Sequence, residues 1–407
     1  MPELTICVIG LGYIGLPTAA LLASAGYRVF GCDRADHVVE TVNRGEVHIV
    51  EPDLEAYVRS AVKSGRLSAS TYPRPADVYM VCVPTPLRHS EQRDSASGDP
   101  TPDLSYVLAA TEAIAPLVKP GDMVILESTS PVGTTDAMVA VLAEAGVDVA
   151  TLAIAYCPER VLPGRIMVEL TENARIVGGQ TAAAARRVAE FYRSFVRGEV
   201  LETDARTGEM CKLVENSFRD VNIAFANELS LLCSGFGIDP WALIALANHH
   251  PRVNILQPGV GVGGHCIAVD PWFLVSAQPK NARLIRTARQ VNLAKTNWVI
   301  EEIAAEAQKC SGPVACLGAS FKPDIDDLRE SPALDVAHAL NMRGIEVLVV
   351  EPHVAVIDGL TLSSLDEALG QCGVIAVLVR HQAFLGTSVA SELRRRGALD
   401  FCGALAD

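Results

Sequence analysis

Within the first thirty-three residues an apolar run, Leu4–Ile9, ends in Gly10-Leu11-Gly12-Tyr13-Ile14-Gly15 and gives way to a helical stretch that stops at Gly26. A second apolar run, Tyr27–Cys32, is closed by Asp33. An unbroken apolar run fits a strand buried on both faces, the condition of a parallel sheet covered by helices. The three glycines then have separate tasks: one permits the tight turn, one lets backbone amides approach a pyrophosphate, and one allows close helix packing. A pyrophosphate would lie on the helix N-terminus, where N–H groups and the dipole favour anions. Asp33 is placed to accept hydrogen bonds from an adenosine ribose and would repel a 2′-phosphate, which favours NAD over NADP; the neighbouring Arg34 weakens that preference.

The same rhythm continues. Strands are expected at Val78–Val83, Met123–Leu126 and Ala153–Tyr156, with helices at Ser105–Leu117 and Asp136–Ala145 between them. From about Thr203 to Ile303 long helical patterns take over: Arg206–Gly235, Trp241–Asn248 and Asn281–Glu306, the last with an arginine stripe at Arg283, Arg286 and Arg289. After Gly312-Pro313 the alternation returns, with strands at Val314–Leu317, Ile345–Val350 and Val374–Val379 and a helix at Pro332–Met342. Its first turn, Gly318-Ala319-Ser320-Phe321-Lys322-Pro323, is not a dinucleotide fingerprint, so this region should take a different ligand. The expected fold class is α/β: two Rossmann-like doubly wound domains, 1–202 and 304–407, joined by a central helical segment, 203–303, that could serve as the spine of a homodimer.

Length and charge narrow the partners. At 407 residues the chain is long enough for two or three domains, and 34 Lys+Arg against 48 Asp+Glu leave a net charge of −14. That balance argues against nucleic acid or an anionic membrane as the main partner. No apolar run reaches the ~18 residues of a membrane span, and the first residues lack the basic-then-apolar pattern of a signal peptide, so a cytoplasmic protein is expected. The eleven cysteines are odd in number and include no C-x-x-C pair. They read as reduced thiols, ten packing as small hydrophobes, and no metal is expected.

The exception is Cys266, in Gly263-Gly264-His265-Cys266-Ile267-Ala268-Val269-Asp270. Glycines there let a substrate approach the backbone, although position alone is also compatible with a buried structural thiol. An NAD enzyme with a nucleophilic cysteine can trap an aldehyde as a thiohemiacetal, oxidise it to a thioester and hydrolyse that to an acid. Lys212 and Asn216, four apart on one helix face, would make an oxyanion clamp, and Arg219 extends that polar face; a solvated helix face has the same pattern.

Collinear motifs now give the chain a specific resemblance. Gly10–Pro17, Val83-Pro84-Thr85-Pro86, Glu127–Thr135, Cys157-Pro158-Glu159-Arg160, Gly263–Cys266 and Phe321–Pro332 together resemble the UDP-glucose/GDP-mannose dehydrogenase family over nearly the whole length. Within it, His250-Pro251-Arg252-Val253-Asn254, the stretch Pro258–Phe273 and Glu159–Gly164 look like the branch acting on UDP-N-acetyl-D-mannosamine. His265, where glucose-specific members usually have Ser, points the same way.

The resemblance implies a four-electron oxidation of a sugar-nucleotide C6 alcohol to a carboxylate, with two NAD per turnover, for surface polysaccharide synthesis. Cys266 would be the nucleophile, Lys212 the proton carrier and oxyanion partner, and Asn216 a second oxyanion donor. Asp270 and Glu159 would orient water and relay protons, and Thr129 would sit beside the nicotinamide or hold a water. Tyr13, Ile14, Asp33, Thr85 and Arg329 match cofactor contacts, besides Gly10, Gly12 and Gly15. Arg160, Val161, Arg219, His250, Arg252, Gly263, Phe321 and Lys322 match substrate contacts, with His250 and Arg252 reaching a neighbouring subunit's site. A long polar loop, Arg88–Asp103, and a short Ala145–Ala153 depart from the family pattern without touching these motifs. The same chemistry on UDP-N-acetylglucosamine, UDP-glucose or GDP-mannose is the near alternative. A two-electron dehydrogenase of the 6-phosphogluconate type and a non-catalytic sugar-nucleotide sensor are the distant ones.

Overall fold

The structure, a computed structural model, describes residues 4–88, 98–162 and 164–406. It forms two compact units, Met1–Val214 and Glu215–Asp407.

The first unit is built on eight strands: β1 Thr5–Ile9, β2 Arg28–Cys32, β3 Leu67–Ser70, β4 Val78–Val81, β5 Met123–Leu126, β6 Ala153–Tyr156, β7 Arg175–Gly179 and β8 Val200–Asp204. Their order is β3-β2-β1-β4-β5-β6-β7-β8. The reversal beside β1 leaves a crevice at the carboxyl ends of the strands, where such sheets bind ligands. Helices α1 Gly15–Ser24, α2 Asp36–Asn43, α3 Leu54–Lys63, α4 Ser105–Ile114, α5 Thr134–Glu144, α6 Ile166–Glu172 and α7 Ala182–Arg193 belong to the same unit. Separate apolar clusters lie on the two faces of the sheet. One carries Leu16, Leu22, Val58 and Val188; the other carries Val107, Ile114, Met138 and Leu142. That is why β1, β4, β5 and β6 read as uninterrupted apolar runs.

The sheet departs from the expected parallel pattern at one place: β7 runs antiparallel to β6. Its register pairs Ala155 with Gly179 and Tyr156 with Gly178. Arg175, the first residue of β7, and Glu159, three residues past β6, lie beyond this paired stretch. The strands β3, β7 and β8 were not anticipated; β3, Leu67-Ser-Ala-Ser, and β8, Val-Leu-Glu-Thr-Asp, carry too many polar residues to stand out as buried strands. In the polar segment Arg88–Asp103, positions 89–97 lie outside the described residues, while Leu87 and Pro102 on its flanks form an isolated antiparallel bridge. The short Ala145–Ala153 stretch contains a single 3-10 turn, Val149–Thr151.

The helix α8 spans Ala205–Phe236. It is followed by α9 Pro240–Ala247, α10 Asp270–Ala277 and α11 Arg283–Ala307. Within the second unit a buried polar ladder joins α8 to α11. Arg289 Nη1 donates to Asp220 Oδ1 at 2.7 Å, Asn292 Nδ2 donates to the same oxygen at 2.8 Å, and Asn227 Nδ2 donates to Asn292 Oδ1 at 2.9 Å. Arg289 is therefore a buried partner of Asp220. Beyond α11 comes a parallel five-stranded sheet, ordered β11-β10-β9-β12-β13: β9 Val314–Leu317, β10 Val347–Val350, β11 Thr361–Leu362, β12 Val374–Val377 and β13 Leu399–Asp400. Here Glu351, just past β10, takes the place that Asp33 has past β2. One of its oxygens accepts N–H bonds from Ala319 and Ser320 at 2.8 and 3.0 Å, and the other accepts from His353 at 3.1 Å.

Candidate active site

In the first unit the three glycines have three different surroundings. A Cβ on Gly10, whose φ is +91°, would meet Cys82 O at 2.5 Å, and one on Gly15 would meet Gly10 O at 1.8 Å. A Cβ on Gly12 would meet nothing within 4 Å. Gly10 and Gly15 are thus required by the turn and by helix packing, while Gly12 leaves room for a ligand against the backbone. No side chain caps the N-terminus of α1, where Tyr13 and Ile14 lead in, and only uncharged residues form its first turn. That end suits a pyrophosphate. Asp33 holds the turn: Oδ2 accepts from Leu11 N at 2.9 Å and Oδ1 from Ala35 N at 3.0 Å. These donors and this open approach fit a dinucleotide.

Two loops at the carboxyl ends of β4 and β5 meet, with Thr85 Oγ1 donating to Thr129 O at 2.6 Å. Glu159 is buried, its Oε1 accepting from Arg160 N at 2.7 Å and its Oε2 lying 2.5 Å from Arg175 Nη1. This last contact is an ion pair whose angle falls outside a hydrogen bond. Burial is the largest influence and opposes the charge on Arg175, but Glu159, together with Cys157, Glu127 and Tyr192 around it, outweighs burial and holds the guanidinium ionised. Arg160 donates to Ala174 O, and its own carbonyl accepts from Asn173 Nδ2 at 3.0 Å. Beyond Val161, Glu51 accepts from Gly164 N at 2.8 Å and from Ile166 N at 2.7 Å, tying down the end of that loop. Arg175 and Glu51 were not singled out from sequence. A lone arginine opening the apolar run Arg175-Ile-Val-Gly-Gly was the available signal; Glu51, more than a hundred residues from its partners, gave none.

Lys212 and Asn216 are both buried on α8, one turn apart, whereas Arg219 is exposed. In the second unit Asn216 Nδ2 donates to Asp270 Oδ2 at 2.5 Å. Asp270 begins α10, and its backbone N–H donates to Cys266 O at 2.8 Å, so Cys266 and Asp270 are two ends of one turn. Cys266 is half-buried and His265 exposed.

The glycine loop before Cys266 lies flat against the segment after β9. A Cβ on Gly263 would meet Glu330 O at 2.4 Å and Phe321 Cβ at 2.8 Å, and one on Gly264 would meet the Phe321 ring at 2.8 Å. Gly259 N donates to Asn227 Oδ1 at 2.9 Å and Thr296 Oγ1 to Val260 O at 2.9 Å, which anchors the loop to the polar ladder. Gly263 and Phe321 are therefore brought together. Lys322 is exposed, Arg329 forms a two-point ion pair with Asp327, and His250 and Arg252 lie on an exposed turn after α9. The other cysteines do not all pack as expected: Cys310 is exposed, and Cys82, Cys211 and Cys402 are half-buried.

Residues 4–196 match the NAD binding domain of the UDP-glucose/GDP-mannose dehydrogenase family, 206–294 its central domain and 315–406 its UDP binding domain. The chain is also 53% identical over 404 residues to the UDP-N-acetyl-D-mannosamine dehydrogenase of Escherichia coli (strain K12), covering 93% of this chain and 94% of that one.

The chain belongs to the UDP-glucose/GDP-mannose dehydrogenase family.

It is similar as well to the NDP-N-acetyl-D-galactosaminuronic acid dehydrogenase of Ralstonia solanacearum, 51% identical over 395 residues, with 93% of this chain and 91% of that one covered. Among solved structures it resembles the UDP-D-ManNAc dehydrogenase of Pyrococcus horikoshii, with a TM-score of 0.88, 36% identity, and 99% and 96% of the two chains covered. Family membership bears out the fold class expected from sequence, with the β6–β7 reversal as its one amendment. Among the described residues, no helix is long and apolar enough to cross a membrane.

Proposed function

We propose that the chain oxidises the C6 hydroxyl of UDP-N-acetyl-D-mannosamine to the carboxylate, with two NAD per turnover, as a cytoplasmic step in making a surface polysaccharide. The observation that carries this reading is the turn Cys266–Asp270 with Asn216 bonded to Asp270, in a chain that shares more than half its residues with a dehydrogenase of that name. The regions 1–202, 203–303 and 304–407 would bind NAD, carry the reaction helix and bind the UDP moiety.

When bound, NAD accepts a hydride from C6 twice. The chain's own residues do the rest. Lys212 takes up the hydroxyl proton and, with the Asn216 amide, holds the oxyanion. The Cys266 thiolate adds to the aldehyde carbon, and loss of the second hydride leaves a thioester. Glu159 and Asp270 orient a water and carry its proton away, the water oxygen bonds to the acyl carbon, and the C–S bond breaks to return the thiolate. In sum, one alcohol, two NAD⁺ and one water give one carboxylate, two NADH and three protons. Thr129 and Thr85 flank the nicotinamide, Tyr13, Ile14, Asp33 and Arg329 hold the rest of the cofactor, and Arg160, Val161, Arg219, Gly263, Phe321 and Lys322 hold the sugar nucleotide.

A homodimer through the central helices fits α8, which exposes Phe218, Phe225, Leu232 and Phe236, spaced at seven, seven and four residues along one face, at 68%, 53%, 52% and 77%. A row of large exposed apolar residues on one helix marks a protein-contact surface. His250 and Arg252 would then serve the neighbouring subunit.

Counting NADH per substrate consumed tests the chemistry. Two per UDP-N-acetyl-D-mannosamine, with Cys266→Ala unable to form the acid, is the expected outcome. One NADH, with activity surviving Cys266→Ala, would place the chain with the two-electron dehydrogenases, and turnover of UDP-glucose alone would reject the assigned sugar.

A further inference from the structure

The loop that follows β5 carries Thr129 and ends at the N-terminus of α5. It is held at two points. Thr85 Oγ1 donates to the Thr129 carbonyl, and at the far end a carboxylate arrives from α8. Glu209 Oε2 accepts from Gly133 N at 2.6 Å, while Oε1 accepts from Thr135 N and Thr135 Oγ1, each at 2.7 Å. Glu209 is fully buried, and it stands three residues before Lys212 on the same helix. We propose that Glu209 is a positioning residue for the reaction: its carboxylate locks the helical turn that bears Lys212 to the loop that bears Thr129.

A cap for α5 would not need this arrangement. A Ser, Thr or Asn side chain at the N-cap position 133 would serve the Thr135 N–H locally. The chain instead has Gly133, at φ +98° and with no side chain to offer, and brings in a buried carboxylate from an element more than seventy residues away. Burying a carboxylate is costly unless its oxygens are occupied. Three short hydrogen bonds offset part of that cost, and the added product is a rigid tie between two elements. The neighbouring Gly208 lets the helix come close to the sheet, since a Cβ there would lie 3.3 Å from Gly178 Cα. A reacting centre is sensitive to such ties, because a misplacement of about 1 Å can cost about a hundredfold in rate.

The inference rests on the reading that Lys212 and Thr129 serve the oxidation. Its test uses the full chain with NAD and UDP-N-acetyl-D-mannosamine. Glu209→Gln keeps the side chain's shape and one acceptor, but sets an NH₂ group against the Gly133 N–H. Both KM values should stay within about threefold, kcat should fall about 10- to 100-fold, and the deuterium isotope effect on kcat with C6-dideuterated substrate should rise as hydride transfer becomes limiting. Thr135→Val removes one of the three bonds and should give a several-fold fall in kcat with the same rise in isotope effect; it carries the test if Glu209→Gln does not fold. An unchanged kcat and isotope effect per folded molecule, or a loss confined to thermal stability, overturns the proposal. Lys212→Met separates the two levels. If it turns over like the parent, the reading of Lys212 fails; if it is inactive while the Glu209 and Thr135 variants are normal, only the role of Glu209 fails.

Discussion

Glu351 offers a quantitative test of how the second unit is held together. Burial alone would raise the pKa of this carboxyl; hydrogen bonds from His381 and from the Ala319 and His353 amides instead bring it from 4.5 to about 2. The His381 Nδ1 accepts the Asp324 N–H at 3.0 Å, so its ring proton sits on Nε2, 3.1 Å from Glu351 Oε2. A folded-state pKa below the unfolded one means stability that is fully present above pH 4.5 and is lost as pH falls toward 2. At ~1.4 kcal/mol for each pH unit of depression, the carboxylate contributes about 3 kcal/mol at neutral pH. Glu351→Gln removes the charge and faces an NH₂ group toward donors, so it should cost about that much at pH 7 and abolish this part of the acid sensitivity.

All three tryptophans, Trp241, Trp272 and Trp298, lie in the second unit, so their fluorescence follows its unfolding. With a urea dependence of about 2 kcal/mol per molar, the midpoint should drop by about 1.5 M. A variant with the parental midpoint at pH 7, or with the parental loss of stability between pH 5 and pH 3, would refute the assignment.

Gly12→Ala should fold normally and bind NAD more weakly by titration calorimetry, because its Cβ occupies only ligand space, whereas Gly15→Ala should fail to fold, its Cβ falling on Gly10 O. Arg289→Met leaves Asp220 buried without its cation and should destabilise the second unit by about 3–5 kcal/mol in the same urea experiment. Phe225→Asp puts a charge in the middle of the exposed α8 row and should shift sedimentation from dimer to monomer with the circular dichroism unchanged.

Much of this molecule could be read from its sequence because the relevant forces are local. The runs at Met123–Leu126, Ala153–Tyr156 and Val314–Leu317 match their strands residue for residue, since a strand covered on both faces has no polar position to blur it. The three glycines could be assigned distinct tasks because each task needs a missing Cβ for its own reason. Hidden from sequence were the contacts made across long separations. Glu51, Glu209 and Asn227 each look like an ordinary polar residue until folding brings a backbone amide to them. The reversal at β7 was equally hidden, because apolar content does not encode strand direction.

That reversal has a consequence for how the chain can change. Because β7 returns antiparallel beside β6, its first residue, Arg175, comes back to the loop that carries Glu159 just past the end of β6. Residues can be added or lost in the middle of the connecting segment, around α6, without disturbing that pair. A single insertion inside β7, between Arg175 and Gly178, would slip the strand by one and turn Arg175 to the opposite face. Length variation among descendants of this sequence should therefore collect between Val161 and Asn173 and stop short at both ends.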